Sequence, residues 1–369
     1  ALVHRFLVKN NFDIAHIGHS LRMTAAIDEI RKINLPYVVT LTDFFSLCYR
    51  VNLMRTSGET CDGPHGGRAC LTHCPVEGNL SGRFHYFHQF LAGARARIAC
   101  SDFVRRQYVR AFPNLAFEVL PHGIDALRSC SIPPIPQEKE RTGVVRFGFL
   151  GSLSKVKGVV MLLEAFAMAD LPDALLEIVG PAYGDAETMH KIKLLAARSN
   201  VKIRGGVASD EVFGVLSRFD VLCLPSQVPE TFSLVLHEGF ACGIPALVSD
   251  LGAPAEIVRK HGCGWVISHT DVAGWAQAFR FIAHDPTILK QKKSRVPLPY
   301  RIEEEGFLYD HIYRRTGFLN HQNKSKKNEE QLKEPIRENI NSKKLSWLSP
   351  IKLLRAWNRH RLFRRHLKG

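Results

Sequence analysis

The stretch that decides the fold is Pro225-Ser-Gln-Val-Pro-Glu-Thr-Phe-Ser-Leu-Val-Leu-His-Glu-Gly-Phe-Ala-Cys-Gly-Ile-Pro245. It follows an apolar run that is typical of a buried strand, and it predicts a helix over Leu234–Cys242 with Thr231 or Ser233 as its N-cap. Glu230 then lies at the helix N-terminus, and Glu238 is about two turns further along. A helix N-terminus suits a diphosphate, and carboxylates can accept hydrogen bonds from sugar and ribose hydroxyls.

Strands alternate with helical stretches on both sides of this segment. In the second half of the chain the predicted strands are 145–150, 175–179, 201–204, 220–224, 246–249 and 264–267, and in the first half they are 13–17, 37–41, 97–100 and 117–120. Continuous apolar runs separated by helices indicate parallel sheets that are covered on both faces. The pattern therefore predicts an α/β protein with two Rossmann-like, doubly wound domains and a cleft between them.

A glycine-rich loop, Gly151-Ser-Leu-Ser-Lys-Val-Lys-Gly158, follows the first strand of the second series and precedes a helix. Glycines let the backbone approach a ligand closely, and Lys157 can reach a phosphate. A plain glycine turn with solvated lysines is the alternative interpretation of this loop.

Three features resemble family-4 retaining glycosyltransferases, the glycosyl transferases group 1, which have the GT-B fold. The spacing of the two carboxylates resembles their Glu-x7-Glu motif, and the preceding glycine-rich loop resembles their donor loop. The following Val248-Ser-Asp-Leu-Gly252 also fits the pattern of that family. The resemblance covers roughly residues 10–317 and implies a retaining, hexosyltransferase-type enzyme that uses a nucleotide-diphosphate sugar. It places Glu230 at the donor sugar. It also implies a donor-binding set: Gly151, Ser152, Lys157, Gly180, Val207, Thr231, Phe232, Ser233, Leu234 and Glu238. Ser152 stands where the family usually has Arg.

The resemblance also predicts how the chain is divided. Residues 1–140 are the N-terminal acceptor domain with a Cys-rich insertion at 48–75, 141–290 are the donor domain, 291–320 are a C-terminal helix that packs back on the body, and 321–369 are a basic linker and amphipathic helix. GT-B first domains normally open with a strand and a Gly-rich loop that is not recognisable here. We therefore expect a first domain that is truncated at its N-terminus, or a divergent protein.

Candidate acceptor or sugar contacts follow the first strands of the chain. Asp43 is the candidate catalytic residue of the first domain, with Thr42 and His19 beside it at the expected cleft. The family often has His where Thr42 stands. A capping role is the alternative for Asp43, and His16 fits a satisfied core histidine better than a ligand.

Four cysteines, Cys48, Cys61, Cys70 and Cys74, cluster in a loop that is rich in glycine. Four thiolates can bind zinc tetrahedrally, although the spacing is not a standard zinc pattern. The sequence leaves two alternatives open, a structural zinc ion and free or paired thiols. No cofactor is expected to be required for the transfer itself.

The net charge of +15 lies mainly in the tail, because residues 321–369 hold 14 Lys/Arg and only 4 Asp/Glu. Tryptophan and leucine among the basic residues of 345–369 favour an anionic membrane surface over nucleic acid as the partner of the tail. No run approaches a membrane span, and the buried-looking cysteines favour a reducing cytoplasm, so we expect a cytoplasmic protein that is peripheral on the inner membrane face.

The predicted function is transfer of a sugar to a hydroxyl acceptor, a glycan or a lipid-linked glycan in envelope polysaccharide synthesis. The alternative is a non-catalytic nucleotide-sugar or glycan-binding protein of the same fold. The second domain carries most of the resemblance, and its intact pair of glutamates favours the enzyme.

Overall fold

Ten parallel strands in two sheets form the framework of the part of the chain that a computed structural model describes, residues 2–76, 78–125 and 144–316. The first sheet has the order β1-β2-β3-β4 and the second has the order β10-β9-β8-β5-β6-β7. The strands are β1 Ala15–Ile17, β2 Tyr37–Leu41, β3 Ala96–Ala99, β4 Glu118–Val119, β5 Arg146–Leu150, β6 Leu175–Val179, β7 Val201–Arg204, β8 Val221–Leu224, β9 Ala246–Ser249 and β10 Gly264–Ile267. The ten runs that the sequence indicates as strands therefore coincide with observed strands. Because both sheets are parallel and covered by helices, the α/β prediction is confirmed.

Helices connect the strands as crossovers. They are α1 Leu2–Asn10, α2 Thr24–Lys32, α3 Arg68–His73, α4 Leu80–Gly93, α5 Asp102–Ala111, α6 Val159–Ala169, α7 Ala186–Leu195, α8 Val212–Leu216, α9 Leu234–Ala241, α10 Gly252–His261, α11 Val272–His284, α12 Pro286–Lys293 and α13 Ile302–Arg315. Side-chain caps define several starts: the oxygens of Ser101, Asp185 and Asp271 accept hydrogen bonds from the backbone N–H three residues on. Such caps satisfy donors that a helix leaves unpaired in its first turn.

The second sheet has its topological switch point between β5 and β8. Both strands run in the same direction, with Phe147 paired to Leu176 of β6 on one side and to Val221 of β8 on the other. The chain leaves β5 toward β6 and later returns to the opposite side of β5 at β8. In open parallel sheets the crevice at this point, beyond the carboxyl ends of the strands, is where ligands bind.

Helix α13 lies against the first sheet, although it follows the second sheet in sequence. Ile312 packs with Val38, Ile98 and Leu120, which lie in or next to the strands of the first sheet. Polar contacts reinforce this packing, since the His16 ring nitrogens are 2.7 Å from the hydroxyls of Tyr313 and Thr40. Residues 1–316 accordingly form one compact unit that contains both sheets.

Two sequence-based predictions lie outside the described residues. They are the segment 133–142, whose prolines and charged residues predict a linker between the domains, and the basic tail 321–369, of which residues 345–369 are predicted to bind an anionic membrane surface. Attachment of the tail to anionic lipid therefore stays a prediction. Within the described ranges, no helix combines the length and the apolar character that crossing a membrane requires.

Candidate functional site

The glycine-rich loop after β5 and the Pro225–Ser233 loop after β8 meet at the switch point of the second sheet. The N–H of Gln227 donates to the carbonyl oxygen of Val156 at 2.8 Å. Gly158, the N-cap residue of helix α6, has φ +71°, and a Cβ there would stand 1.9 Å from the carbonyl oxygen of Pro225. Only glycine tolerates both that backbone conformation and that close approach. The glycine at position 158 therefore lets the two loops touch.

Lys157 and Glu230 form an ion pair across this junction. The Lys157 Nζ is 2.8 Å from Glu230 Oε1, and the side chains are 36% and 12% exposed. The Ser226 hydroxyl donates to the same carboxylate oxygen. Folding therefore brings together the two motifs that the sequence separates by 73 positions. Ser226, which is 5% exposed, is a site residue that sequence reasoning missed, although its position four residues before Glu230 in the same loop offered a signal.

The carboxyl of Glu230 is held in its ionised form. Burial is the largest single influence and would raise its pKa, but the Lys157 ammonium and the hydrogen bonds from Lys157, Ser226 and Ser233 together outweigh it. The pKa of Glu230 is therefore below its usual range. An ionised, buried carboxylate that is fixed by three donors has a defined direction, which is what contact with a substrate hydroxyl or a developing positive charge requires.

Helix α9 presents its N-terminus beside this pair. No carbonyl among the described residues accepts a backbone hydrogen bond from the N–H groups of Ser233, Leu234 or Val235. The predicted cap is wrong in detail, because Ser233 occupies the N-cap position at φ +70° but its side chain makes no capping hydrogen bond. The Ser233 hydroxyl instead lowers the pKa of Glu230. The unpaired N–H groups and the helix dipole suit an anion.

Glu238 lies within helix α9, and its surroundings are the opposite of those of Glu230. Burial raises the pKa of its carboxyl, with no opposing charge. Next to it on the helix, His237 stacks on Phe232 with ring centroids 3.9 Å apart, and burial lowers the pKa of His237 to about 4. A carboxylate that is desolvated without a partner can gain hydrogen bonds from a bound diol.

The remaining donor-site candidates lie at the carboxyl ends of β5, β6 and β7. Gly151 and Ser152 begin the loop after β5, with the Ser152 hydroxyl 3.4 Å from that of Ser154. Gly180 follows β6, next to β5, and a Cβ there would stand 1.7 Å from the Gly151 carbonyl oxygen. Val207 follows β7, one strand further out, and packs against the apolar cluster under α9. These positions extend the site away from Glu230 along the strand ends.

Three candidates of the first domain lie close together at the ends of β1 and β2. His19 Nδ1 is 2.9 Å from Asp43 Oδ2, and Asp43 Oδ1 accepts a hydrogen bond from the Phe45 N–H at 2.8 Å. The Thr42 hydroxyl donates to the Gly18 carbonyl oxygen at 2.8 Å. Asp43 thus makes a turn-stabilising bond with one oxygen and pairs with an exposed histidine through the other. The turn role and the site role predicted as alternatives for Asp43 are compatible.

Thr231 and Phe232 join the donor loop to the first domain. The Thr231 hydroxyl donates to the carbonyl oxygen of Thr42, and Phe232, 5% exposed, packs within the apolar core of the first sheet. Their side chains are therefore engaged with the first domain, so any contact with a donor would come from their backbone groups. Ser101, which caps helix α5, donates to the Thr231 carbonyl oxygen at 2.6 Å, a contact that the sequence does not indicate.

The four clustered cysteines are free thiols. Burial, and then the nearby thiols of Cys48, Cys61 and Cys74, raise the pKa of Cys70 to about 11, so its thiol keeps its proton. Across the described residues, no three His, Cys, Asp or Glu side chains are grouped in a way that could hold a metal ion. Zinc binding stays a prediction that this arrangement of the thiols does not support.

Comparison with known proteins points to one family. The model of the glycosyl transferases group 1 matches residues 134–296, which include both loops of the switch point. A glycogen synthase of Mycobacterium tuberculosis is 28% identical over 249 residues, 66% of this chain and 57% of that protein. A phosphatidyl-myo-inositol mannosyltransferase of Mycobacterium leprae is 26% identical over 283 residues, 75% of this chain and 65% of that protein. The chain thus spans less than two thirds of the length of either relative.

Solved structures share the fold at low identity. A glycosyltransferase from Rickettsia africae matches with a TM-score of 0.65 and 16% identity, covering 85% of this chain and 79% of that one. Anabaena Alr3699/HepE in complex with UDP and glucose matches with a TM-score of 0.63 and 16% identity, covering 84% and 80%. The two parallel sheets of this chain and these likenesses show the GT-B fold, and residues 134–296 are similar to the glycosyl transferases group 1.

Proposed function

We propose that this chain transfers a hexosyl group from a nucleotide-diphosphate sugar to a hydroxyl acceptor, with retention of the anomeric configuration. The observation that carries the proposal is the Lys157–Glu230 ion pair, which joins the two donor motifs at the switch point of the second sheet. A cation, a helix N-terminus and a fixed carboxylate meet there, and these are the groups that a diphosphate and a sugar require.

Each group has a distinct role in the proposed reaction. Lys157 and the N–H groups at the start of α9 bind the diphosphate, where negative charge develops as the bond between the anomeric carbon and the phosphate oxygen breaks. Glu230 contacts the donor sugar, and Glu238 accepts hydrogen bonds from the ribose hydroxyls. In the free protein Lys157 pairs with Glu230, so a bound diphosphate shares a cation that is already in position.

The acceptor side is formed by the first domain. In the proposed reaction Asp43 accepts the proton of the attacking hydroxyl, and the proximity of His19, at 2.9 Å from Asp43, and of Thr42 supports this role. The names of the two relatives, a glycogen synthase and a phosphatidyl-myo-inositol mannosyltransferase, support a glycan or a lipid-linked acceptor. We place the protein in envelope polysaccharide synthesis at the cytoplasmic membrane face on this ground and on the basic tail.

No metal ion is assigned to the transfer in this proposal. Lys157 and the α9 N-terminus supply positive charge where a divalent cation would otherwise act. Transfer should accordingly survive treatment with EDTA at an undiminished rate.

The test is a calorimetric screen of the purified chain against UDP, GDP, ADP and their sugars, followed by transfer assays with the donor that binds. Glu230→Ala should abolish transfer while the fold and nucleotide binding are kept, because the carboxylate contacts the sugar rather than the nucleotide. NMR of the product should show the anomeric configuration of the donor. Donor binding without transfer by the unaltered chain would favour the non-catalytic alternative, and near-normal turnover by Glu230→Ala would refute the role of Glu230.

A further inference from the structure

Thr231 makes contacts across the interface between the two sheets of the compact unit. Its hydroxyl donates to the Thr42 carbonyl oxygen at 2.9 Å, and its own carbonyl oxygen accepts hydrogen bonds from Ser101 at 2.6 Å and from the Cys100 thiol at 3.6 Å. The three partners follow β2 and β3 of the first sheet, and they are 130 to 189 positions away in sequence. A single residue of the donor loop is therefore held by two loops of the first domain.

The neighbours of Thr231 are fixed just as firmly, but from different sides. The carbonyl oxygen of Glu230 accepts a hydrogen bond from Ala253 N–H at 2.9 Å, and a Cβ at Gly252 would stand 2.5 Å from the Glu230 nitrogen. Phe232 packs in the core of the first domain and makes a T-shaped ring contact with His122. The donor domain thus holds the backbone of Glu230, while the first domain holds the next two residues.

We infer that Thr231 is a positioning residue through which the first domain sets the direction of the Glu230 carboxylate. The backbone of Glu230 is held by the second domain, and the backbone of Thr231 is held by the first domain. The direction of the Glu230 carboxylate therefore depends on the contact between the two domains. All three donors to the Glu230 carboxylate belong to the second domain, so the first domain acts on the carboxylate through the backbone of Thr231. The inference rests on the proposed function, because it assigns to Glu230 the contact with the donor sugar.

The decisive variant is Thr231→Val, which keeps the branched shape and removes the hydroxyl donor. Thr231→Ser is the matched control, because it keeps the hydroxyl. Misplacement of a reacting group by a fraction of an ångström costs on the order of tenfold or more in rate. We expect kcat to fall about tenfold in Thr231→Val with the KM for the donor nearly unchanged, and most of the rate to return in Thr231→Ser.

A second readout does not depend on activity. Hydrogen–deuterium exchange in the segment 227–236 should quicken in Thr231→Val, and exchange in 40–45 should quicken with it, whereas Thr231→Ser should match the unaltered chain. Equal exchange in all three proteins would overturn the inference, as would equal kcat values in Thr231→Val and the unaltered chain. If the unaltered chain transfers no sugar, the proposed function fails, and the exchange experiment still decides whether the first domain fixes this loop.

Discussion

Glu230 and Glu238 lie in one segment and experience opposite electrostatic surroundings. Glu230 has a cation and two hydroxyls around it, while Glu238 is desolvated without a compensating charge. The surroundings of Glu230 stabilise its negative charge in the free protein. The charged form of Glu238 is destabilised by burial, and a ligand that donates hydrogen bonds to it can relieve this cost, which is a common signature of a binding residue.

Glu238→Gln should stabilise the free protein at pH 7 and weaken its binding of the nucleotide. Because the folded-state pKa of Glu238 is raised, its stabilising effect is present below the unfolded value of 4.5 and is lost as pH rises through the folded pKa. The neutral amide avoids that loss. Losing a charge-assisted hydrogen bond should weaken nucleotide affinity by a factor of roughly 10 to 100. Melting curves at pH 4 and pH 7 and calorimetric titration test both parts, and unchanged affinity would exclude the ribose contact.

His237→Phe should flatten the acid side of the stability profile. The folded pKa of about 4 lies below the ordinary 6.5, so stability falls as pH drops from 6.5 to 4, and the full difference corresponds to about 3 kcal/mol. Burial is the main cause, and the nearby His122 adds to it. Phenylalanine keeps the stacking on Phe232 and does not titrate. Denaturant unfolding at pH 4 and 7 should show a smaller difference for the variant, and an equal difference would contradict the assignment.

At the scale of the element, helix α13 packs against the first sheet, although this helix comes from the second half of the chain. Ile312 is 5% exposed against strand residues, whereas Phe307 on the same helix is 72% exposed. Ile312→Ala should cost about 2–5 kcal/mol of unfolding free energy, since it leaves a cavity in this contact. Phe307→Ala is the matched control and should change stability by less than about 0.5 kcal/mol. Equal effects in denaturant titrations would mean that α13 does not pack as described.

The strands and the loops that follow β5 and β8 could be predicted from the sequence because both are local patterns. A buried parallel strand is a continuous apolar run, and glycine beside lysine or glutamate after such a run marks a ligand-binding turn. Sequence reasoning missed Ser226, although that serine lies four residues before Glu230 in the same loop, and it did not indicate the contact of Ser101 with Thr231, because nothing about a capping serine tells which distant group its hydroxyl meets. It placed Ser233 as a capping residue because the rule for caps does not foresee the positive φ that turns this hydroxyl toward Glu230.

At the scale of the whole molecule, one aromatic ring of the donor domain is part of the core of the first domain. Phe232→Ala should therefore lower stability by about 3–5 kcal/mol and weaken the coupling between the domains. We expect one calorimetric transition for residues 1–316 within the intact chain and two partly resolved transitions for the variant. Phe281→Ala, at a position 51% exposed, is the control. A single, unshifted transition in Phe232→Ala would show that the domains are joined by other contacts.

The burial of Phe232 also limits how such proteins can be recombined. Consider a chimera that takes residues 1–125 from one protein and the second half from another. Its residue 232 then comes from one protein, and the apolar core that receives this side chain comes from the other. Exchange of the first half to change the acceptor should therefore yield a working hybrid only when the donor-loop residue at position 232 and the core that receives it are exchanged together. Such an exchange should carry helix α13, which packs on the first sheet, together with residue 232.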